Sequence, residues 1–496
     1  MSEPVSASMP AVAGFVAPAH APGWLVLSAL ALVTATLLLR RAEAHTAPPR
    51  PEPAGAAGAL RSDSPAVVNM LTNDATVTGA AFRATLIDLA ARGWVRLLPP
   101  DDEDDELGRV RPSASAYEGD SLRPHERLVL QHVMARYTSD RAIPARYLAV
   151  DVHGSWWKRF RGLVEGEARE SGLVRRRWAP ADLLLPAGAW VLAVLTWWIA
   201  RSSGDTEVAV IESVERRIVG WGLLLLVVAL GLRMVLHLLR PTFTHTDKGL
   251  AATSNWLAVR QRLVGAGFAD MAPSSIEVGD RRLAYATAMC LADGAAVELP
   301  LAREDARRAW SSVGGRARLV RVRYPLRPGY GMTPWVSLAV GVVLAFIGLQ
   351  GRRWFADVAR GEGFDWAYEQ FPEQDWLIAD VATALTFLAW LPIALGLWMA
   401  LAGAADALGS VERTGVVVRA RRPVEVSPLP RAVLRRFERD RYSLYIAIDD
   451  GTSDDVVAWR TNERNAVPQG ANATVKASLV LGHVRRAVPV GHRIIG

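Results

Sequence analysis

The sequence predicts an α-helical integral membrane protein of about five transmembrane helices, with a cytoplasmic winged-helix-like α+β domain and a C-terminal small all-β barrel, SH3-like or OB-like. Three observations predict it. Uninterrupted apolar stretches recur along the 496 residues, each long enough for the roughly 30 Å of a bilayer core. Arginines crowd the ends of those stretches, where orientation signals sit. After Val411 the pattern changes to short alternating runs, the period of strands.

The first apolar stretch covers residues 22–39, opens near Trp24 and stops at Arg40 and Arg41. Residues 1–21 before it carry Glu3 and no Lys or Arg, so the positive-inside rule puts them outside. Ala42-Glu43-Ala44 resembles a signal-peptide cleavage site, but arginines that follow the apolar core act as a stop and anchor rather than as an n-region. The second and third stretches, 183–200 and 218–239, form a hairpin: Arg175, Arg176 and Arg177 precede it, Arg240 and Lys248 follow it, and the connecting loop 201–217 holds Asp205, Glu207, Glu212 and Glu215 against Arg201, Arg216 and Arg217. The fourth, 334–350, follows Arg316, Arg318, Arg321, Arg323 and Arg327. An acidic loop, 351–375, leads to the fifth, 376–405, which is followed by Arg413, Arg419, Arg421 and Arg422. Arg352, Arg353 and Arg360 in that loop count against this placement, yet the flanks outnumber them. The expected topology is multi-pass in a bacterial inner membrane, N-out and C-in. Trp24, Trp190, Trp197, Trp198, Trp221, Trp335, Trp354, Trp376, Trp390 and Trp398 lie in or beside the stretches and are read as interfacial anchors.

Between the stretches, residues 40–60 are rich in Pro, Ala and Gly and read as a linker. Residues 61–180 carry the α+β pattern. Phe82, Leu86, Leu89 and Ala90 share one helix face, Gly93 suits a left-handed stop, and Trp94-Val95-Arg96-Leu97 alternates like a strand. A helix beginning at Pro124 carries Val129, Leu130, Val133, Met134 and Tyr137 on one stripe, and another carries Trp156, Trp157, Phe160, Leu163 and Val164. Such an order is winged-helix-like. Residues 240–330 read as a helical segment ending in a basic stretch around Trp310. In 411–496 five short strands are expected, at 415–424, 442–448, 456–460, 473–480 and 484–490, with Asp450-Gly451 as a turn signal.

A net charge of +7 and a pI near 9.8 would suggest nucleic acid in a soluble chain. Here the basic residues gather at the apolar stretches and point to anionic lipid instead. The run Asp101, Asp102, Glu103, Asp104, Asp105, Glu106 beside the wing-like strand would repel a phosphate backbone and argues against DNA binding. It is read as a solvated loop or a handle for a basic protein partner on the cytoplasmic side. Tyr442, Tyr445 and Trp459 are expected to pack a core rather than to stack bases.

Three stretches together resemble the YciQ-like bacterial family of predicted membrane proteins, a domain of unknown function. They are Pro65-Ala66-Val67-Val68 leading to Ala84-Thr85-Leu86-Ile87-Asp88-Leu89-Ala90-Ala91-Arg92-Gly93-Trp94, then Leu122-Arg123-Pro124-His125-Glu126, and Thr246-Asp247-Lys248-Gly249-Leu250 continuing to Leu283-Ala284-Tyr285-Ala286. The resemblance covers roughly residues 60–300 and implies an anchored protein with a cytoplasmic domain on either side of a membrane hairpin. Many members place an extracytoplasmic β-domain before the first span; here residues 1–21 precede it, so such a domain is not expected in this sequence. The resemblance supplies no catalytic residues.

No catalytic motif and no cofactor are expected. Phosphate-cradling loops, nucleophile elbows and kinase signatures are missing from the sequence, and no small-molecule substrate is evident. The single cysteine, Cys290, excludes an internal disulfide and any Cys-based metal cluster, and is read as a small buried apolar residue. His125 and His132 lack a third ligand and are read as surface histidines; Asp449, Asp450, Asp454 and Asp455 read as a polar hairpin turn rather than a calcium loop. Within the apolar stretches the candidates for an intramembrane polar path are Arg233, His237 and Asp380. All three lie near a stretch end, so snorkelling to the interface accounts for them. The expected role is therefore a non-enzymatic scaffold or regulator, with a transporter component and a membrane-tethered nucleic-acid binder as the alternatives.

Overall fold

A computed structural model describes residues 21–49, 51–54, 60–100, 107–113, 120–137, 141–202, 210–239, 242–302, 305–311, 313, 318–362, 370, 381–382, 385–386, 388–426, 443–462 and 466–490. In chain order the elements are α1 (Ala21–His45), α2 (Pro65–Thr72), α3 (Gly79–Ala91), β1 (Val95–Leu98), β2 (Arg109–Pro112), α4 (Pro124–Met134), β3 (Ile143–Pro144), α5 (Ala145–Leu148), α6 (Ser155–Glu170) and β4 (Val174–Arg176). Then come α7 (Leu184–Ser202), α8 (Val210–Leu239), β5 (Phe243–His245), α9 (Asp247–Leu263), α10 (Arg282–Ala288), α11 (Asp293–Glu298), β6 (Arg308–Ser311), β7 (Arg318–Arg323) and α12 (Pro334–Ala359). The chain closes with α13 (Trp390–Leu408), β8 (Val411–Arg421), β9 (Ser443–Asp449), β10 (Asp455–Val457), β11 (Trp459–Asn462), β12 (Asn472–Ala477) and β13 (Val484–Pro489). Among the described residues five helical stretches are long and apolar enough to cross a membrane: Gly23–His45, Pro180–Ala200, Gly222–Leu239, Pro334–Ala359 and Trp390–Leu408. The chain divides into two compact units.

The first unit contains α1, α7 and α8. Ala31, Leu32, Ala35 and Leu39 of α1 pack on Ala193, Leu223, Val227, Leu230 and Met234. Val26, Leu30, Val33, Leu225, Leu226 and Val228 stay exposed on the outside. A bundle apolar both inside and out suits lipid rather than water, because lipid offers its outer faces apolar contact. Trp190 departs from the interfacial-anchor expectation: its Nε1 donates to Val227 O at 2.7 Å, inside the α7–α8 contact. β4 and β5, just before and just after the α7–α8 hairpin, pair antiparallel, so the hairpin starts and ends on the same side. Where α9 begins, a Cβ on Gly249 would lie 1.8 Å from Leu173 O, so the backbones meet at a distance that excludes any side chain.

The second unit contains the α+β region and the C-terminal sheets. α3 was expected to bury one face; instead all of its residues are buried, from Gly79 to Ala91. Its small residues Ala80, Ala81 and Ala84 let α2, α4 and α10 approach from several sides. Pro124 occupies the first turn of α4, and Arg123 N donates to Glu126 Oε2 at 3.0 Å, closing the N-terminal cap. β1, β2 and β3 form one antiparallel sheet. Phe82 of α3 joins Trp156 and Phe160 of α6 in an aromatic cluster, with Trp156 stacked on Phe160 at 5.6 Å between ring centroids.

α12 and α13 cross at backbone contact. A Cβ on Gly396 would sit 2.4 Å from Ala345 N, one on Gly341 2.4 Å from Ala400 N, and one on Gly403 2.6 Å from Pro334 O. That order runs antiparallel, with small residues making the approach possible where the hydrophobic effect supplies no drive. The described α13 begins at Trp390, later than the expected 376.

The basic stretch around Trp310, read from sequence as the end of a helical segment, is the hairpin β6–β7. It gains a third strand from the far end of the chain, because β10 pairs parallel with β7. The other strands form an antiparallel sheet in the order β11-β9-β8-β12-β13. The expected single strand at 456–460 is split at buried Ala458, sending β10 to the hairpin and β11 to the larger sheet. A bridge from Arg460 to His483 draws β11 toward β13 and curls the sheet into a half-barrel. Since β7 precedes α12 and β10 follows α13, this helix pair also returns to its starting side.

Candidate functional site

The sequence candidates Arg233 and His237, one turn apart on α8, come together on a third residue. Arg233 Nη2 donates to Glu43 Oε1 at 2.6 Å, and His237 Nε2 lies 2.9 Å from the same oxygen. His237 also faces the Trp178 ring at 4.5 Å, and Arg177 Nη2 donates to the Glu43 carbonyl at 3.0 Å. The cluster gathers at the ends of α1 and α8, with the Arg233 side chain about half exposed at 47%. Chemically it is an ion-paired clasp between helices. Asp380 and the acidic run Asp101, Asp102, Glu103, Asp104, Asp105 and Glu106 lie outside the described residues.

A second cluster sits in the α+β region. Asp88 on α3 is fully buried and accepts from Arg281 Nε at 2.6 Å, Arg281 Nη2 at 3.0 Å and Arg92 Nη1 at 3.3 Å. Arg92 in turn pairs with Asp120 at 2.8 Å and with buried Glu126 at 2.9 Å, while Trp94 Nε1 donates to Asp120 at 2.9 Å. Tyr285 OH donates to Asp63 O at 3.0 Å and its ring stacks on Trp256. Three stretches distant in sequence therefore meet here, each contributing a charged or aromatic group.

Hydrogen bonds from Arg92 hold the Asp120 carboxyl below the usual carboxylate range, with burial opposing and Trp94 adding to the effect. The stabilisation from a depressed carboxylate is complete above its unfolded value, near 3.8, and is lost as pH falls through the lower folded value. Asp120→Asn is accordingly expected to flatten part of the acid limb of a thermal-unfolding profile below about pH 4, with little change in its slope above pH 5. An unaltered acid limb in the variant would show that Asp120 does not contribute.

A third polar feature was not foreseen. Asp406, at the end of α13, is fully buried; its Oδ1 accepts from Val480 N at 2.8 Å and its Oδ2 from Leu481 N at 2.6 Å. Arg485 donates to the Asp406 carbonyl. One side chain thereby ties a membrane-length helix to the β12–β13 turn.

Residues 61–299 match a family model, Predicted membrane protein (DUF2207) C-terminal domain. No curated protein and no solved structure matches the chain. The DUF2207-type region contains the whole Asp88–Arg92–Asp120–Glu126–Arg281 network as well as α7 and α8. Over that span the chain is similar to a family of predicted membrane proteins, and five helical stretches among the described residues are long and apolar enough to cross a membrane.

Several sequence readings change. Cys290 is exposed rather than buried, since it stands just past α10 with φ +56°, turned out of the helix. His125 and His132 are buried rather than superficial; His132 packs against Phe82 and Trp156, and Arg136 Nη1 approaches its Nδ1 at 3.0 Å. Burial holds the His132 imidazole below its ordinary range, with a hydrogen bond to Leu148 O opposing. The carboxylates at 449–455 engage arginines: Asp449 and Asp454 pair with Arg318, Asp455 with Arg323 at 3.0 Å, and Asp450 with Arg413 at 3.2 Å. Among the described residues no group of three or more His, Cys, Asp or Glu is placed to hold a metal ion.

Proposed function

We propose that this chain is a non-enzymatic scaffold or regulator anchored in a bacterial inner membrane, presenting its folded modules on the cytoplasmic side to a protein partner. The observation that supports it most directly is strand pairing across the helix hairpins. β4 pairs with β5 around one hairpin, and β7 with β10 around the other. Each helix pair thereby returns the chain to the side it left, next to a folded module.

The arginines flanking each module support a cytoplasmic placement under the positive-inside rule, with N-out and C-in as the topology. Arg233 and His237 fit this reading better than a transport path, because a single carboxylate ties them together at helix ends. In the α+β region the β1–β2 hairpin occupies the place of a wing, and the curled C-terminal sheet takes the role expected of an SH3-like or OB-like interaction module. Asp101–Glu106, between β1 and β2, serves as the handle for a basic partner surface.

In-membrane crosslinking followed by purification tests the proposal, comparing the native chain with one in which all six acidic residues of that run are changed to Asn or Gln. A protein recovered reproducibly with the native chain, and depleted about tenfold or more with the neutralised one, is the expected result; tenfold corresponds to roughly 1.4 kcal/mol of binding. Equal recovery from both would remove the handle. Recovery of no specific protein from either would overturn the scaffold reading.

A further inference from the structure

Arg260, on the last turns of α9, is 5% exposed and pairs with no carboxylate among the described residues. Its Nε donates to Met289 O at 3.1 Å, and its guanidinium carbon lies 3.9 Å from the centre of the Trp310 ring. Burial without a counter-charge pulls its pKa down to about 10, with Cys290 acting weakly in the other direction. An uncompensated buried cation is costly to keep.

Two further donors stand beside it. Thr287 Oγ1 and Trp310 Nε1 are both buried and meet no hydrogen-bonding partner among the described residues. Arg260, Thr287 and Trp310 all line one cavity of about 590 Å³, enclosed by α3, α9, α10 and α11 on one side and by β6 and β8 on the other. That volume lies in the range of small-molecule sites. Its other charged lining residues are three cations, Arg83, Arg308 and Arg419, and two carboxylates, Asp293 and Asp305; Asp305 pairs with Arg308 at 3.1 Å, and Arg83 Nε donates to Leu299 O at 2.9 Å. Val416, Val417 and Val418 of β8 add an apolar wall.

We propose that this cavity binds a small organic oxyanion, a carboxylate or phosphate on an apolar body, with Arg260 as counter-ion and Thr287 and Trp310 as hydrogen-bond donors. The three donors, those of Thr287 and Trp310 without partners among the described residues, border a space in which the lining cations Arg83, Arg260, Arg308 and Arg419 outnumber the carboxylates Asp293 and Asp305. An anionic head would complete it, and the valines receive the body. The site stands independently of the protein-partner reading. It gives the junction between the DUF2207-type region and the C-terminal sheet a chemical input.

The single thiol provides the readout, because Cys290 is the sole cysteine of the chain, is exposed, and lines the same cavity. The rate of maleimide labelling is measured on the detergent-solubilised full chain with phenyl phosphate, with benzoate, and with phenol as the uncharged control, each at about 10 mM. At least one of the two anions is expected to slow labelling about fivefold or more, the protection of a site occupied at some four times its Kd, while phenol leaves the rate unchanged. The anion that protects identifies the head group. Thr287→Val, which keeps the shape and removes the donor, and Arg260→Gln are both expected to weaken the protection. Should Arg260→Gln fail to fold, Thr287→Val carries the test alone. No protection by either anion, equal protection by phenol, or protection undiminished in Thr287→Val would overturn the proposal.

Discussion

Asp406→Ala is expected to release the β12–β13 turn from the end of α13. The carboxylate accepts two backbone N–H groups, and Leu481 N is buried. Hydrogen bonds to a charged acceptor contribute about 1.5–3 kcal/mol each, and the alanine leaves both donors without a partner, so a loss of about 3 kcal/mol or more is expected. Asp406→Asn keeps one acceptor and should fall in between. Thermolysin digestion of the detergent-solubilised protein measures the effect: the variant should be cut within residues 470–490 at least tenfold faster, about 1.4 kcal/mol in the local opening equilibrium. Unchanged cleavage in Asp406→Ala would mean that the turn is held by the Arg485 contact and the sheet alone.

The second large effect is at Asp88. Alanine there leaves the Arg281 and Arg92 guanidinium groups without the buried carboxylate they share. Breaking a buried pair from one side costs about 3–5 kcal/mol; because the Arg281 side chain is 35% exposed, the lower end is expected. Near-UV circular dichroism on heating should show a lowered midpoint. Replacing Arg281 by Met in the same chain should recover part of the loss, since an unpaired charge is then removed as well. If the double variant is as unstable as the sum of the two single ones, Asp88 and Arg281 act independently and the network does not function as a unit.

How much of this was legible in the sequence depends on how far apart the interacting residues lie. The membrane-length helices could be read because length and apolar character are local properties, and the strand runs after Val411 because alternation is local too. The split at Ala458 could not: whether residues 455–457 join β7 or β9 is decided by a partner in another part of the chain. Arg233 and His237 stood out as polar residues in an apolar run, while their partner Glu43 was visible only as part of a cleavage-like tripeptide. Asp406 escaped because the fifth apolar stretch was ended one residue before it; a lone carboxylate closing such a run was the available signal. Arg260, Thr287 and Trp310 gave no signal, since neither their spacing nor their types form a motif. The complete burial of α3 was likewise hidden, because amphipathic spacing reports one packing face and cannot count the neighbours around a helix of small residues.

The parallel pairing of β10 with β7 also has a consequence in time. Arg323 and its partner Asp455 are 132 residues apart, and ribosomes add roughly 5–20 residues per second. For roughly 7–26 s of synthesis the β6–β7 hairpin stands as a two-stranded ribbon with an open, arginine-rich edge while two further helices are being delivered to the membrane. A nascent chain in that interval presents its unpaired strand to any extended peptide nearby, so the yield of folded protein should depend on how quickly translation passes residue 457.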